Sequence, residues 1–195
     1  AAERKAAAFL LGDNLERTTQ GGGIYTYTSQ QGAAAFRDTG SFDAAGSLSQ
    51  ENAEAFCRDF CKAFSYDTPI FTLDETGSGT ATAVRLWSGT PVFNAAVTFT
   101  IDQGRVLSAS GALLPETGAE TSSGQKPLSA FAALTAFQQM RHASSSVVSS
   151  ITEVSLCYEL QSTTAAPMAL VPSWRIVTDT ATFYVNCISG TVRRA

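Results

Sequence analysis

Four cysteines, one histidine and a few adjacent carboxylates are the residues of this 195-residue chain whose types could do chemistry. Cys57 and Cys61 stand four apart in a helical pattern, whereas Cys157 and Cys187 lie in strand-like runs with different flanks. Structural zinc sites draw on closely spaced Cys or His pairs, and the chain has no CxxC. With His142 the single histidine, a zinc hydrolase would need the thiols to converge from distant parts of the chain. A Cys157–Cys187 disulfide across neighbouring strands is a second reading, because the count is even. The third is four buried thiols, since free cysteine packs as a small hydrophobe, and Cys57 and Cys61 favour it by falling on an apolar stripe.

The other candidates read more simply as structure. A serine hydrolase needs a base, and His142 ends the run Gln138-Gln139-Met140-Arg141-His142, where a helix C-terminus favours its charge; no GxSxG elbow accompanies it. Ser144 to Ser146, Ser149 and Ser150 read as a loop. Asp74 and Glu75 precede Thr76-Gly77-Ser78-Gly79, a solvated hairpin turn rather than a glycosidase pair. Gly21-Gly22-Gly23 is a breaker, since neither GxxxxGK[ST] nor a following helix occurs. Trp87 and Trp174 stand in alternating strands and are expected to pack against a core or sheet face. No catalytic, cofactor-binding or metal-ligating residue is assigned.

Those residues need a framework. The charged share is 15% against 44% hydrophobic, so the chain buries enough surface to fold. Its formal net charge is −4, with Lys and Arg dispersed, which argues against nucleic acid as a partner. Apolar spacing predicts a helix over 2–16, then strands at 24–28, 34–37 and 41–43. A second helix over 50–65 opens at Ser49 and Asn52, with Glu51 and Glu54 in its first turn, and strands at 70–73, 81–87, 92–101 and 105–110 follow. The polar stretch 115–126 reads as a linker. A third helix over 128–142 precedes strands at 151–160, 168–178 and 183–188. A helix followed by a meander therefore occurs three times, which predicts an α+β fold of tandem modules.

Two stretches carry a resemblance. The first reads G-x-P-V-F-N over Gly89–Asn94, then V-x-S-x-S-G over Val106–Gly111; the second reads P-x-W-R-I over Pro172–Ile176, then Y-V-N-x-x-x-G over Tyr184–Gly190. They resemble PepSY-like domains of the YycI-type (YycH/YycI) regulatory proteins of Gram-positive bacteria, over residues 50–193. Trp87 departs from the polar residue that pattern carries. The resemblance implies tandem PepSY-like modules, each a helix packed on an antiparallel β-sheet meander: an N-terminal helix plus meander over 1–46, a first module over 47–115 and a second over 125–195. It also implies a non-enzymatic, extracytoplasmic protein of the cell envelope that binds a membrane sensor histidine kinase of a two-component system, or its accessory protein. PepSY-type modules in metalloprotease propeptides give the alternative, an inhibitor or chaperone of a secreted peptidase. No cofactor is implied. The chain begins inside an Ala-rich helical pattern without Met, so a membrane anchor is expected upstream of Ala1, and edge strands are the expected mode of contact.

Overall fold

The computed structural model describes residues 2–49, 52–115, 118, 126–144, 147–162 and 168–195. Most of the expected linker, Glu51, Ser145 and Ser146 lie outside these residues. Helix α1 (Ala2–Leu11) buries Ala6, Ala7, Leu10 and Leu11 along one side. It stops five residues before the expected end because Gly12 adopts φ 81°, a left-handed position that suits glycine, and donates its N–H to Ala8 O at 2.9 Å. Glu16, the last residue of the expected helix, instead opens β1 (Glu16–Gly21), followed by β2 (Ile24–Ser29), β3 (Gly32–Arg37) and β4 (Ser41–Gly46). Every residue of β1 is exposed, so no alternation of polarity announced it. Gly32 and Gly46 face each other across β3 and β4, where a Cβ on either would run into the opposite backbone carbonyl.

Helix α2 (Ala53–Ala63) is capped by Asn52, whose side-chain oxygen accepts the Ala55 N–H at 3.1 Å. Four strands follow: β5 (Ile70–Leu73), β6 (Gly79–Trp87), β7 (Thr90–Asp102) and β8 (Arg105–Ala112). The last unit is α3 (Ala130–Ser144), then β9 (Ile151–Gln161), β10 (Ala169–Thr178), β11 (Thr182–Asn186) and β12 (Val192–Arg194). No helix among the described residues is long and apolar enough to cross a membrane.

The strands do not form tandem helix-on-meander modules, as the sequence predicts, but one mixed sheet of twelve strands ordered β1-β2-β3-β4-β8-β7-β9-β10-β11-β12, with β6 and β5 branching from β7. Strand β4 pairs antiparallel with β8 through Ser41↔Ala112 to Ala45↔Ser108, so the first meander continues laterally into the second. Strand β7 then meets β9 in a parallel contact at Val92↔Tyr158. Local alternation specifies hairpins and says nothing about which free edges join, which is why the separate modules expected from it merge.

One apolar cluster lies under α1 and α2 together. Its centre is the fully buried Phe60, whose ring centroid lies 5.5 Å from Phe9, 4.6 Å from Phe64 and 5.4 Å from Phe99. A smaller cluster under α3 gathers Ala133, Phe137, Ile176, Phe183 and Val185. The third joins the halves through Val92, Ala95 and Leu114, with Trp87, Tyr158 and Leu170 packed against them.

At that joint the β6 pairing jumps from Ala96 to Val92, releasing Phe93, Asn94 and Ala95 from the ladder. Asn94 uses its freedom as a stand-in for a peptide group: Nδ2 donates to Leu160 O and Oδ1 accepts the Leu160 N–H, both at 2.7 Å. Phe93 stacks on Tyr184 with centroids 3.6 Å apart, and Arg193 lies over Phe93 at 5.3 Å while pairing with Glu159 at 2.8 Å. Replacing Asn94 by Ala deletes both bonds and leaves two backbone groups to solvent. The expected cost is about 1–2 kcal/mol of unfolding free energy, read by urea denaturation, with the Leu160 amide exchanging faster than in the parent. An unchanged midpoint and unchanged exchange would show that the joint does not depend on Asn94.

Candidate functional site

The thiols are placed by packing. Cys57 and Cys61 face the core from α2, and burial pushes both up to about 12, above the ordinary value of 9.0. Cys157 is likewise pushed up to about 12 by burial, and Cys187 is shifted upward for the same first reason. Cys157 lies opposite Ser173 on β10, and Ser173 lies opposite Asn186, the residue before Cys187. Strand β10 therefore stands between the two cysteines. Two strand spacings are about 9.5 Å, beyond the roughly 7 Å Cα separation a disulfide can span, so of the three readings of the cysteines the buried thiols stand and the neighbouring-strand disulfide does not: all four are free. Among the described residues no three His, Cys, Asp or Glu side chains gather as metal ligands.

His142 is exposed in the last turn of α3, beside Arg141, whose guanidinium donates to Val148 O at 3.0 Å. Trp174 packs half-buried against the cluster under α3, and its Nε1 donates to Leu128 O at 2.9 Å, which fixes the approach to that helix. Trp87 packs at the joint. Both tryptophans serve sheet-face packing. Sequence reasoning missed Arg85, which is buried: Nη1 donates to Ser65 O at 2.7 Å and Nη2 to Leu114 O at 3.4 Å, with the guanidinium 5.5 Å from the Tyr66 ring. Tyr66 donates its hydroxyl to Ala112 O at 2.6 Å, and burial raises its phenol. Together these two side chains tie the end of α2 to the end of β8.

The acidic side chains settle turns. Asp74 accepts from the Thr76 hydroxyl at 2.7 Å, the Thr76 N–H at 2.8 Å and the Ser78 N–H at 3.0 Å, and the Thr76 hydroxyl is the leading reason its carboxyl titrates below the usual 3.8. Asp179 accepts backbone N–H bonds from Ser150 and Ser149, which lower it in the same way, the Ser150 bond contributing most.

Apolar side chains are exposed at several places, among them Phe131 and Val147, and those of β5 lie on a sheet edge. Strand β5 is a branch end, paired among the described residues only with β6, and it exposes apolar side chains: Ile70 is 71% and Leu73 37% exposed. Exposed carboxylates bracket it, with Asp67 before the strand and Asp74 and Glu75 after it. Beside Leu73 opens a hollow of about 570 Å³ lined by Glu54, Gly77, Ile101, Gly104 and Arg105. Arg58 lies over the Phe71 ring at 5.3 Å and pairs with Glu54 at 3.6 Å. The sequence signal for this site was the run Pro69-Ile70-Phe71-Thr72-Leu73 between acidic residues, read there only as a strand. The face of the sheet away from α1 and α2 carries registered rows of small residues. One runs Thr26, Ala35, Asp43, Ser110, Thr98, Thr82 and Ile70 across seven strands.

The chain matches no family model, and no curated protein is similar to it in sequence. Among solved structures it is similar to the Bacillus megaterium YpeB C-terminal domain, with 14% identity and a TM-score of 0.47 over 99% of this chain and 95% of that one. It is also similar to an uncharacterized protein from Eubacterium rectale, with 12% identity and a TM-score of 0.48 over 97% of this chain and 75% of that one. At these scores neither likeness carries an argument about what this chain does.

Two outcomes test this picture. Under native conditions at pH 8 none of the four thiols reacts with a disulfide reagent, and all four react after unfolding; rapid labelling of one cysteine in the folded protein would overturn its placement. Because Asp74 and Asp179 are lowered in the folded state, the stability they contribute is complete above their ordinary values and is lost as pH falls through the lowered ones. The urea midpoint is therefore expected to hold near neutrality and to fall below about pH 4. The fall should be shallower in Asp179→Asn, and an identical profile in that variant would remove Asp179 from the account.

Proposed function

We propose that this protein is a non-catalytic binding module of the cell envelope, facing outward from the membrane, whose partner is another protein. The observation that carries the reading is the apolar, unpaired edge of β5, since natural sheets protect such edges unless something covers them. Two further findings support it. The thiols, the strongest nucleophiles in the chain, are packed away and held protonated. The exposed His142 is fixed at a helix end rather than beside a nucleophile elbow. The resemblance to PepSY-like regulators makes a membrane sensor kinase or its accessory protein the proposed partner, with an upstream membrane helix as the anchor.

The test is affinity capture of the tagged full-length protein from membranes of its own cells, with bound proteins identified by mass spectrometry. Retention of a sensor kinase or its accessory protein, returned by reciprocal capture, is the expected result. Retention of a secreted peptidase whose activity falls on adding this chain would replace the kinase by an inhibitory role. Turnover of a small substrate by the purified protein would overturn the reading altogether.

A further inference from the structure

We infer that the free edge of β5 accepts an extended, basic and apolar segment of a partner protein as an added antiparallel strand. This inference rests on the binding-module reading and names the surface and the chemistry of what it binds.

The backbone of β5 presents the required groups. Asp74 N–H donates to Ser78 O at 2.9 Å, closing the hairpin, and the β5–β6 register runs from Leu73↔Gly79 to Ile70↔Thr82 without a shift. In an antiparallel ladder bonding alternates, so Thr72 and Ile70 bond inward to β6, while Phe71 and Leu73 direct N–H and C=O outward. Pro69 occupies the next outward position, where its missing N–H removes a donor from the free edge, so an added strand bonds at Phe71 and Leu73. The other open edges are defended: the part of β9 before Tyr158, paired among the described residues with β10, carries Glu153 in an ion pair with Arg175. Strand β1 is polar and exposed throughout, carries Glu16 and Arg17 and is interrupted by a register shift. Strand β12 has only three residues, two of them the arginines 193 and 194. These devices discourage strand addition; β5, with four residues, is nearly as short as β12 but has neither a bulge nor a charge within it.

The side chains around the edge select the occupant. A strand laid along β5 alternates its residues between the α2 side, where Phe71, Leu73 and the hollow beside Glu54 lie, and the open face, where Ile70 lies. Apolar residues on the added strand would cover Ile70 and Leu73, and Lys or Arg at its ends would meet Asp67, Asp74 and Glu75. Arg58 is already engaged by Glu54 and the Phe71 ring, which leaves Arg105 as the opposing charge lining the hollow. A second copy of this chain fits poorly. Pairing two β5 strands antiparallel about Phe71 would set Glu75 of one opposite Asp67 of the other, and like charges directly opposite are destabilising.

The probe is a pair of amidated six-residue peptides, KVTIKV and its acidic counterpart EVTIEV, titrated into the full chain labelled with ¹⁵N. The basic peptide is expected to bind more tightly, to weaken as salt is raised, and to perturb the Phe71 and Leu73 amides ahead of those of β1 or β12. The double variant Ile70→Lys, Leu73→Lys changes two exposed positions and should keep the parent's circular dichroism while losing about tenfold or more in affinity. Glu75→Lys should weaken the basic peptide and strengthen the acidic one. Equal binding of the two peptides, perturbations centred on another edge, or no binding by either would overturn the inference. The same double variant separates this failure from failure of the functional reading: a protein captured from membranes equally by parent and variant sustains the binding module and removes the β5 edge from it.

Discussion

Strand β7 has thirteen residues and three strands to satisfy, and the architecture follows from how it divides them. Its C-terminal part is held by β6 and β8, an ordinary antiparallel arrangement with a buried face of Val97, Phe99 and Ile101. At Val92 it is held by β6 and β9, and β9 runs parallel to it. Three residues between these parts leave the β6 ladder, and in a buried strand their unpaired backbone would be costly. Here the strand emerges into a joint, and the Asn94 side chain bonds the Leu160 backbone of β9 as a further ladder pair would. Phe93 then stacks on Tyr184. The second half of the molecule is thus attached through an amide that mimics backbone, an aromatic stack and a small apolar cluster.

The two sides of the sheet do different work. Beneath α1 and α2 the side chains are large, and Phe60 holds both helices to the same face. On the opposite side the row from Thr26 to Ile70 is mostly Thr, Ser and Ala in register and holds no aromatic side chain of the kind found at binding hot spots. Functional weight therefore falls on the edges. Backbone groups at an edge offer affinity through hydrogen bonds, and the flanking side chains supply the choice of partner. At β5 those flanks are apolar and acidic, and the turn that Asp74 closes favours its ionised form.

Much of this organisation was legible in the chain. The stripe Ala53, Cys57, Phe60, Cys61 marked α2, alternation marked β6 to β8 and β9 to β11, and Asp74 was placed in its turn from Thr76-Gly77-Ser78-Gly79. Strand β1 was missed because all six of its residues are wet, which leaves no period to read. Arg85 was missed because a guanidinium in a strand reads as a surface residue, and nothing local shows that carbonyls from Ser65 and Leu114 will converge on it. The choice between buried thiols and a Cys157–Cys187 pairing stayed open in the chain for a related reason: nothing local shows that β10 separates the two.

The sequence by itself determined the three helices, most of the strands and the apolar stripe that carries Cys57 and Cys61, because those depend on periodicity and on residues close along the chain. Only the tertiary structure decided that β4 joins β8, that β7 meets β9, and that β5 is left as the apolar edge. Such neighbours are chosen by edges competing for hydrogen-bond partners across long stretches of chain, and a strand's own residues record which face is buried without recording which strand will lie beside it.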